Sequence, residues 1–513
     1  METEIELKLL IEPEDISSFR RLSILKEWAQ GAKPVTRTYL SIYYDTADLA
    51  LLKAGMALRV RRVGRGWSQT IKGGGQVQGG LHQRQEWEYP VASPEPDLGV
   101  IKDTAFAAEL NRIIGKEKLL PVFATEFRRT IWNLAFSGGG LVEMALDQGE
   151  VRSGQHSEPI SEVELELKGG ASNSLYDIAL ALLEKVPLVP GSVSKAERGY
   201  KLYLQEEPAP VKASATGMTP GMTAGQMLQC ILGNCIEHLQ RNRRGMLLGK
   251  DPEYLHQMRV AVRRIRSALS LFDEIIPRES MNEIGGELKW LGTELGKGRD
   301  WDVFATETLR LAREHFSGQQ KLPTASRRTS KLRNQYDLEA RQAVASKRYA
   351  HLVLILGRWI NEMAWLKTCK AEQQRKLAFP GKDLAFDLLK RAEQKLHRRG
   401  KHIDSLGMKK LHLVRIAAKK LRYAVEFFME LYPPKKARRY LAALTEMQDI
   451  LGTLNDSAIA YRLLEELCGA RPSPACTGET KILGKWIDGK REEKMTGLPK
   501  AWKNLVQQKP FWK

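Results

Sequence analysis

The chain opens on an alternation of charge and hydrophobicity. Within Met1–Leu10, the run Glu4-Ile5-Glu6-Leu7-Lys8-Leu9 changes character at every residue. A period of two predicts a strand with Glu4, Glu6 and Lys8 on one face and Ile5, Leu7 and Leu9 on the other. Strand-like stretches follow at Thr38–Tyr44, Ala57–Arg62, Trp67–Lys72, Arg84–Tyr89, Phe123–Leu134, Gly140–Asp147 and Ser161–Lys168. Pro13–Trp28 reads as a helix, with apolar Ile16, Phe19, Leu22 and Leu25 behind Glu14-Asp15. Turns are expected at Gly64–Gly66, Gly73–Gly80 and Ser137–Gly140. The second of these is a hairpin tip rather than a phosphate loop, because no GK[ST] and no helix follow it. Many strands with few helices favour an antiparallel barrel over a doubly wound sheet. Residues 205–225, rich in Pro, Ala, Thr, Ser and Gly, read as a linker, and long helical stretches dense in Lys, Arg, Glu, Leu and Ala lie beyond it.

The charges sharpen this division. The net charge is +20 over 513 residues, yet residues 1–200 hold 24 Lys+Arg against 27 Asp+Glu, while the remainder holds 57 against 34. The first part is near neutral and the second strongly cationic, a field that attracts polyanions such as nucleic acid, anionic lipid or polyphosphate. Few aromatics interleave the cationic stripes, which disfavours nucleic acid. Five scattered cysteines suggest no disulfide framework, zinc site or redox pair. No run of about 18 apolar residues is present and the N-terminus is acidic, so a reducing cytoplasm is the expected compartment, without membrane insertion.

Like charges pair up on single strands of the first part. Arg59 and Arg61 share a face, as do Glu86 and Glu88, Glu143 and Asp147, and Glu162, Glu164 and Glu166. Two carboxylates about 7 Å apart on one face repel and need a compensating cation. If the apolar faces pack outward against helices, the charged faces line an interior. One wall is then acidic and suited to hard divalent cations, and the facing wall is cationic and suited to phosphate. A linear triphosphate would link the two.

With Glu4-x-Glu6-x-Lys8, Arg59-x-Arg61, Lys72, Arg129 three residues before Trp132, Asp147, Glu162-x-Glu164 and Ser194-Lys195, residues 1–204 resemble the CYTH family of triphosphate tunnel enzymes. The resemblance implies an eight-stranded antiparallel β tunnel and a divalent cation, Mg2+ or Mn2+. It makes Glu4, Glu6, Asp147, Glu162 and Glu164 metal-side residues, and Lys8, Arg59, Arg61, Lys72, Arg129 and Lys195 phosphate-binding ones. Arg128 could exchange with Arg129, Glu166 could be a further ligand, and Glu86 has no assigned role. The implied chemistry is charge neutralisation by the cationic wall as the terminal P–O bond breaks, with a water activated for in-line attack.

The second part contains a repeat. His256-x-x-Arg259-x-x-x-Arg263-Arg264-x-Arg266 matches His412-x-x-Arg415-x-x-x-Lys419-Lys420-x-Arg422 at an offset of 156 residues. Leu295–Asp300 and Leu451–Asp456 share the same offset. On a helix, His256, Arg259, Arg263 and Arg266 fall in a stripe roughly 80° wide, too charged to be a core face. The imidazole suits an anion better than a metal, since no second histidine lies at ligand spacing. Residues 226–488 resemble the CHAD domain, which implies two four-helix bundles and a basic groove binding inorganic polyphosphate through both stripes. Residues 489–513, with Trp502, Phe511 and Trp512, match neither pattern and read as a packed or loosely ordered basic tail.

The expected protein is therefore α+β and multidomain: a tunnel (1–204), a linker (205–225), an all-α duplicated domain (226–488) and a tail (489–513). The expected activity is metal-dependent hydrolysis of tripolyphosphate to pyrophosphate and phosphate, with polyphosphate held by the helical domain and association with polyphosphate granules. The alternatives are a class IV adenylyl cyclase, a thiamine or nucleoside triphosphatase, and a non-catalytic polyphosphate-binding protein.

Overall fold

In the computed structural model, residues 2–64, 66–78, 80–136, 140–316, 322–471 and 473–513 are described. They fall into two compact units, residues 1–209 with 347–362, and residues 210–346 with 363–513.

The first unit is a closed antiparallel barrel. Its strands are β1 (Glu2–Leu10), β2 (Val35–Asp45), β3 (Met56–Val63), β4 (Gly66–Gln78), β5 (Leu81–Val91), β6 (Leu120–Phe136), β7 (Gly140–Ser153) and β8 (His156–Gly169). They run in the order β5-β4-β3-β2-β6-β7-β8-β1, and β1 pairs back onto β5 to close the ring. Closure leaves no edge among the eight and gives each strand an inner and an outer face. A two-residue strand, Val189–Pro190, adds to β1.

The outer faces carry the core. Leu7 and Leu9 of β1, Leu146 of β7 and Val163 and Leu165 of β8 pack with Phe19 and Leu25, and with Leu175, Tyr176 and Leu182 of the helix Asn173–Leu183. A second layer sets Leu58, Val60, Ile71 and Trp87 against Phe106, Leu110 and Ile114 of the helix Thr104–Ile114, where Trp87 stacks on Phe106. The expected helix Pro13–Trp28 is broken into a 3-10 turn and two short helices, Ile16–Arg20 and Ser23–Trp28.

The glycine stretch Gly73–Gly80 differs from expectation. Residues up to Gln78 continue β4, with a register shift between Gly73 and Gln76. Gly75 sits at φ +122°, and a Cβ there would lie 2.2 Å from the Gln83 carbonyl oxygen, so this irregularity requires glycine. The turns expected around Arg65, Gly79 and residues 137–139 lie outside the described residues.

One helix is far from the barrel in sequence. Lys347–Asn361, within the stretch assigned above to the helical domain, belongs to the first unit. Its Ala350 and Leu354 join the cluster around the Asn173–Leu183 helix, and Arg358 pairs with Asp177 at 2.8 Å.

The second unit is helical and duplicated. Helices Ala224–Arg241, Glu253–Leu271, Asn282–Val303 and Pro323–Ala345 are followed, about one repeat later, by Gly381–Gly400, Met408–Phe428, Pro434–Cys468 and Pro474–Met495. In both sets each helix packs against the next. Part of the expected linker is pinned within this unit: Asn242 exchanges hydrogen bonds with both backbone groups of Val211, and Glu430 accepts from the amides of Thr216 and Gly217. The C-terminal stretch is packed. Leu498–Gln507 is a helix, and Phe511 and Trp512 are buried against Tyr440.

The scattered cysteines suggested no disulfide framework or redox pair, and the structure joins two of them, Cys468 and Cys476, in one disulfide. Their separation of eight residues resembles no common motif, and only the turn between two helices brings them together. No helix among the described residues is long and apolar enough to cross a membrane.

Candidate functional site

Strand alternation sends the charged set into the barrel. Glu4, Glu6, Lys8, Arg59, Arg61, Lys72, Glu86, Arg129, Glu164, Glu166 and Lys195 all line one cavity of about 1020 Å³. Glu4 and Arg59 therefore look onto a shared space, as the charge pattern requires. Asp147 and Glu162 are fully buried behind Glu164, and the three carboxylates each offer an oxygen within 4.8 Å of the others.

Opposite charges are interleaved in this cavity, which corrects the expectation of two segregated walls. Lys8, only 1% exposed, donates to Glu162 at 2.8 Å and to Glu164 at 2.5 Å. Arg129 forks onto Asp147 with two 2.7 Å bonds and also reaches Glu164. Lys195 contacts Asp147 at 2.7 Å, Glu164 at 2.9 Å and Glu162. Lys72 pairs with Glu4, and Glu86 lies 3.4 Å from Arg59 and 3.3 Å from Lys72. Glu86 thus acquires a place in the site, bridging two cations.

The titration behaviour follows from the pairing. Burial disfavours the charge on Lys8, but Glu162, Glu164 and Glu6 outweigh it and hold the ammonium above its usual range. Burial likewise opposes ionisation of Glu164, and Lys195, Lys8 and Arg129 overcome it, keeping the carboxyl well below the usual carboxylate range. Arg61 is the contrast. Burial, with Arg59 and Arg129 nearby, pushes it down to about 10. Its partners are the Ser41 hydroxyl at 3.1 Å and the face of Tyr39 at 4.9 Å, and no carboxylate lies within ion-pair distance among the described residues.

The other sequence-derived residues sort as follows. Arg128 is exposed on the opposite face of β6, in register with Gln148, so of the two adjacent arginines it is Arg129 that lines the cavity. Glu166 lines the cavity apart from the Asp147 cluster. It pairs with Lys168 at 2.5 Å, and burial raises its carboxyl, with Glu4 and Glu143 adding to the effect. Lys195 is delivered by the helix Lys195–Tyr203, which Ser194 caps by accepting from the Glu197 amide. Gly199 lets that helix approach Phe123, where a Cβ would lie 2.1 Å from the ring.

The aromatics of the interior escaped the sequence reading. Tyr43 stacks on Phe123 at 4.4 Å, Tyr200 meets Phe123 edge-on, and Lys195 lies 5.0 Å over Phe127. The parity that places Arg129 inside also places Phe127 and Phe123 inside, so the signal was present in β6 itself.

The donor set fits a hard divalent cation. Asp147, Glu162 and Glu164 supply only oxygen, and Glu162 Oε2 is buried without a hydrogen-bond partner.

In the second unit the repeat brings part of each stripe together. Arg259 and Arg263 of the first copy face Arg415 and Lys419 of the second, with Asp300 and Asp456 among them. Arg259 pairs with Asp300 at 3.3 Å, and the equivalent Arg415 donates to Asn455 at 3.2 Å. Burial, Arg415 one turn back on the same helix, and the facing cations Arg263 and Arg259 push Lys419 down to about 7. Burial and Arg299 push His256 down to about 4. Arg299 was not singled out by the sequence.

The remaining stripe residues lie elsewhere. Arg264 is buried between helices, bonded to Asn234 and set 5.3 Å over Phe427. Lys420 donates to Ser270 at 2.6 Å, Arg422 pairs with Glu426 at 2.7 Å, and His412 and Arg266 are exposed.

Comparison with known proteins agrees with this division. An inorganic triphosphatase of Haemophilus influenzae is 34% identical over 209 residues, 39% of this chain and 54% of that protein. The chain thus spans about half the length of that relative. A crystal structure of the CHAD domain from the plant Ricinus communis is 33% identical, covers 59% of this chain and 98% of its own, and superposes with a TM-score of 0.51. A Hippeastrum protein described as a putative adenylyl cyclase with dominant triphosphatase activity covers 40% of this chain and 98% of its own at 18% identity. Its TM-score is 0.27. The CYTH domain family matches residues 2–200 and the CHAD domain family residues 230–465, and the chain belongs to both as a CYTH domain joined to a CHAD domain.

Proposed function

We propose that the barrel hydrolyses inorganic tripolyphosphate to pyrophosphate and orthophosphate in a metal-dependent reaction, and that the helical unit binds inorganic polyphosphate. The observation that carries the first half is Arg61, a half-buried cation with no carboxylate partner among the described residues, lining the same cavity as Glu164 of the three-carboxylate cluster. A charge partly withdrawn from water and left unpaired is costly, and an anionic substrate removes that cost.

Asp147, Glu162 and Glu164 would hold Mg2+ or Mn2+, which when bound supplies Lewis-acid charge to phosphate oxygens. Arg61, Arg59 and Lys72 orient the phosphate chain, with Glu86 fixing the last two. Lys8, Arg129 and Lys195 trade part of their carboxylate contacts for phosphate oxygens and neutralise charge as the terminal P–O bond breaks. Water adds to the terminal phosphorus, pyrophosphate leaves, and a cavity carboxylate takes the proton. Glu166 suits this step because its environment raises its basicity. In the helical unit, the Arg259, Arg263, Arg415 and Lys419 cluster offers a linear polyanion four cations whose mutual repulsion binding would relieve.

The deciding experiment measures phosphate release from tripolyphosphate, ATP and thiamine triphosphate with and without Mg2+. A higher kcat/KM for tripolyphosphate, lost on chelation, supports the reading. Preference for ATP or thiamine triphosphate, or formation of cyclic AMP, replaces it with the organic alternatives. Absence of turnover with polyphosphate binding intact leaves a binding protein.

A further inference from the structure

The bond between Cys468 and Cys476 lies outside both proposed sites, and its two sulfurs occupy unlike environments. Cys468 ends the helix Pro434–Cys468 and is half-buried, whereas Cys476 lies in the first turn of the helix Pro474–Met495 and is fully buried. Their Cα atoms are 5.9 Å apart. Arg328, from the helix Pro323–Ala345, reaches into this corner. Its Nη1 donates to the carbonyls of Leu467 at 2.9 Å and Cys468 at 3.0 Å, and stands 3.6 Å from Cys476 Sγ. A guanidinium beside one sulfur stabilises that sulfur as a thiolate, as does the N-terminal turn of a helix.

We propose that Cys468–Cys476 is a reversible thiol–disulfide site that exchanges with low-molecular-weight thiols of the glutathione type. Cys468 is the sulfur attacked, and Cys476 is the thiolate that leaves. In opening, a glutathione thiolate attacks Cys468 Sγ, the S–S bond breaks, and its electron pair departs on Cys476 beside Arg328. A second glutathione thiolate then attacks the mixed disulfide at the glutathione sulfur, freeing Cys468 and releasing glutathione disulfide. Two electrons pass from two glutathiones to the two cysteines, and each new thiolate takes a proton from water according to its pKa. Closing is the reverse, with glutathione disulfide as oxidant and the Cys476 thiolate resolving the mixed disulfide on Cys468. A leaving thiol of low pKa departs faster, so Arg328 makes this bond labile, where a pair buried at both sulfurs would be inert.

The bond bears on the helical unit because the Cys468 helix also carries Asn455 and Asp456, which face Arg415. Opening it removes the covalent link between the end of that helix and its successor, which stay joined by Arg328, by Tyr461 bonded to Gly484 and Asp488, and by the packing of Leu463, Leu464 and Leu467 on Leu483 and Ile487.

The test uses the full-length protein equilibrated in glutathione buffers, quenched in acid, alkylated and read by mass on the peptide spanning both cysteines. Opening within minutes in millimolar glutathione and reclosure in glutathione disulfide are expected. The Cys476→Ser variant should trap glutathione on Cys468. Arg328→Gln should slow opening several-fold and Arg328→Lys should restore it, with circular dichroism reporting that each variant is folded. A bond that persists for hours in glutathione, a pair that stays as thiols in excess glutathione disulfide, or an opening rate indifferent to Arg328→Gln overturns the proposal.

Discussion

The barrel interior and the helical cluster are built from the same cations and treat them oppositely. In the barrel, Lys8, Arg129 and Lys195 are held above their usual ranges because Glu162, Glu164 and Asp147 surround them. In the helical unit, Arg259, Arg415 and Lys419 are pushed below theirs by burial and by one another, and Asp300 and Asp456 compensate only in part. The first arrangement is an internally neutralised network that a substrate must rearrange. The second is an uncompensated positive charge, which on the proposed reading a polyanion would offset. A rearranging network suits chemistry, where contacts must differ between ground and transition states, and a standing deficit suits capture.

The largest way to break this contrast is Glu164→Gln. It leaves Lys8, Arg129 and Lys195 short of a shared counter-charge, and breaking such a buried network costs about 3–5 kcal/mol. Tripolyphosphate hydrolysis should fall by about 100-fold or more, since one electrostatic contact of this kind is worth about that. Polyphosphate binding should be unchanged. The acid response follows from the sign of the shift: a carboxyl held below its usual 4.5 contributes stability above that pH and loses it as the pH falls further. Thermal unfolding between about pH 7 and pH 3 should show this acid loss in the wild type and less of it in the variant.

Leu354→Ala comes next. Leu354 is fully buried in the barrel's outer core although it lies well inside the helical half of the sequence. A cavity there should cost about 2–4 kcal/mol and lower the calorimetric transition that tripolyphosphate stabilises, leaving polyphosphate affinity intact. Arg61→Ala sharpens the contrast from the other side. Removing a cation without an ion partner should leave barrel stability unchanged or raised, while kcat/KM falls by about 10- to 100-fold, the worth of a charged hydrogen bond. A loss of stability equal to that of Glu164→Gln would place Arg61 in the neutralised network and remove the argument built on it.

Strand alternation made the barrel legible, because a closed sheet converts a period of two directly into inside and outside. It identified the charged positions on β1, β3, β6 and β8 and the cavity they share. It did not reveal their partners, since pairing depends on which strands become neighbours. The strand of Lys8 shows only its own face, so the sequence did not reveal that register with β8 sets it opposite Glu164. The repeat made the helical unit legible, but a charged stripe wider than the contact it makes looks uniform in sequence. Packing then divided it, sending Arg264 into the core and Lys420 and Arg422 to other partners. The Lys347–Asn361 helix and the Cys468–Cys476 pair had no local signature, because each is defined by a distant or turn-dependent neighbour.

The smallest effect is the most specific to the helical cluster. With Lys419 pushed down to about 7, about half of the free protein carries this charge at neutral pH, and Arg259, Arg263, Asp456 and, on its own helix, Arg415 are the charged groups around it. A bound polyanion adds negative potential at the same point and raises the pKa again, so binding takes up a proton. Affinity should be flat below about pH 6 and fall as pH rises through 7, approaching about tenfold per unit at the steepest. Calorimetry with long-chain polyphosphate in buffers of different ionisation enthalpy should register roughly half a proton taken up at pH 7. Lys419→Arg keeps the charge and should flatten the profile near its acidic plateau, whereas Lys419→Met should flatten it at weaker affinity, with tripolyphosphate hydrolysis unaffected in both. An affinity that ignores pH in the wild type would mean that the cations are already neutralised, and the difference between the two units would collapse at this residue.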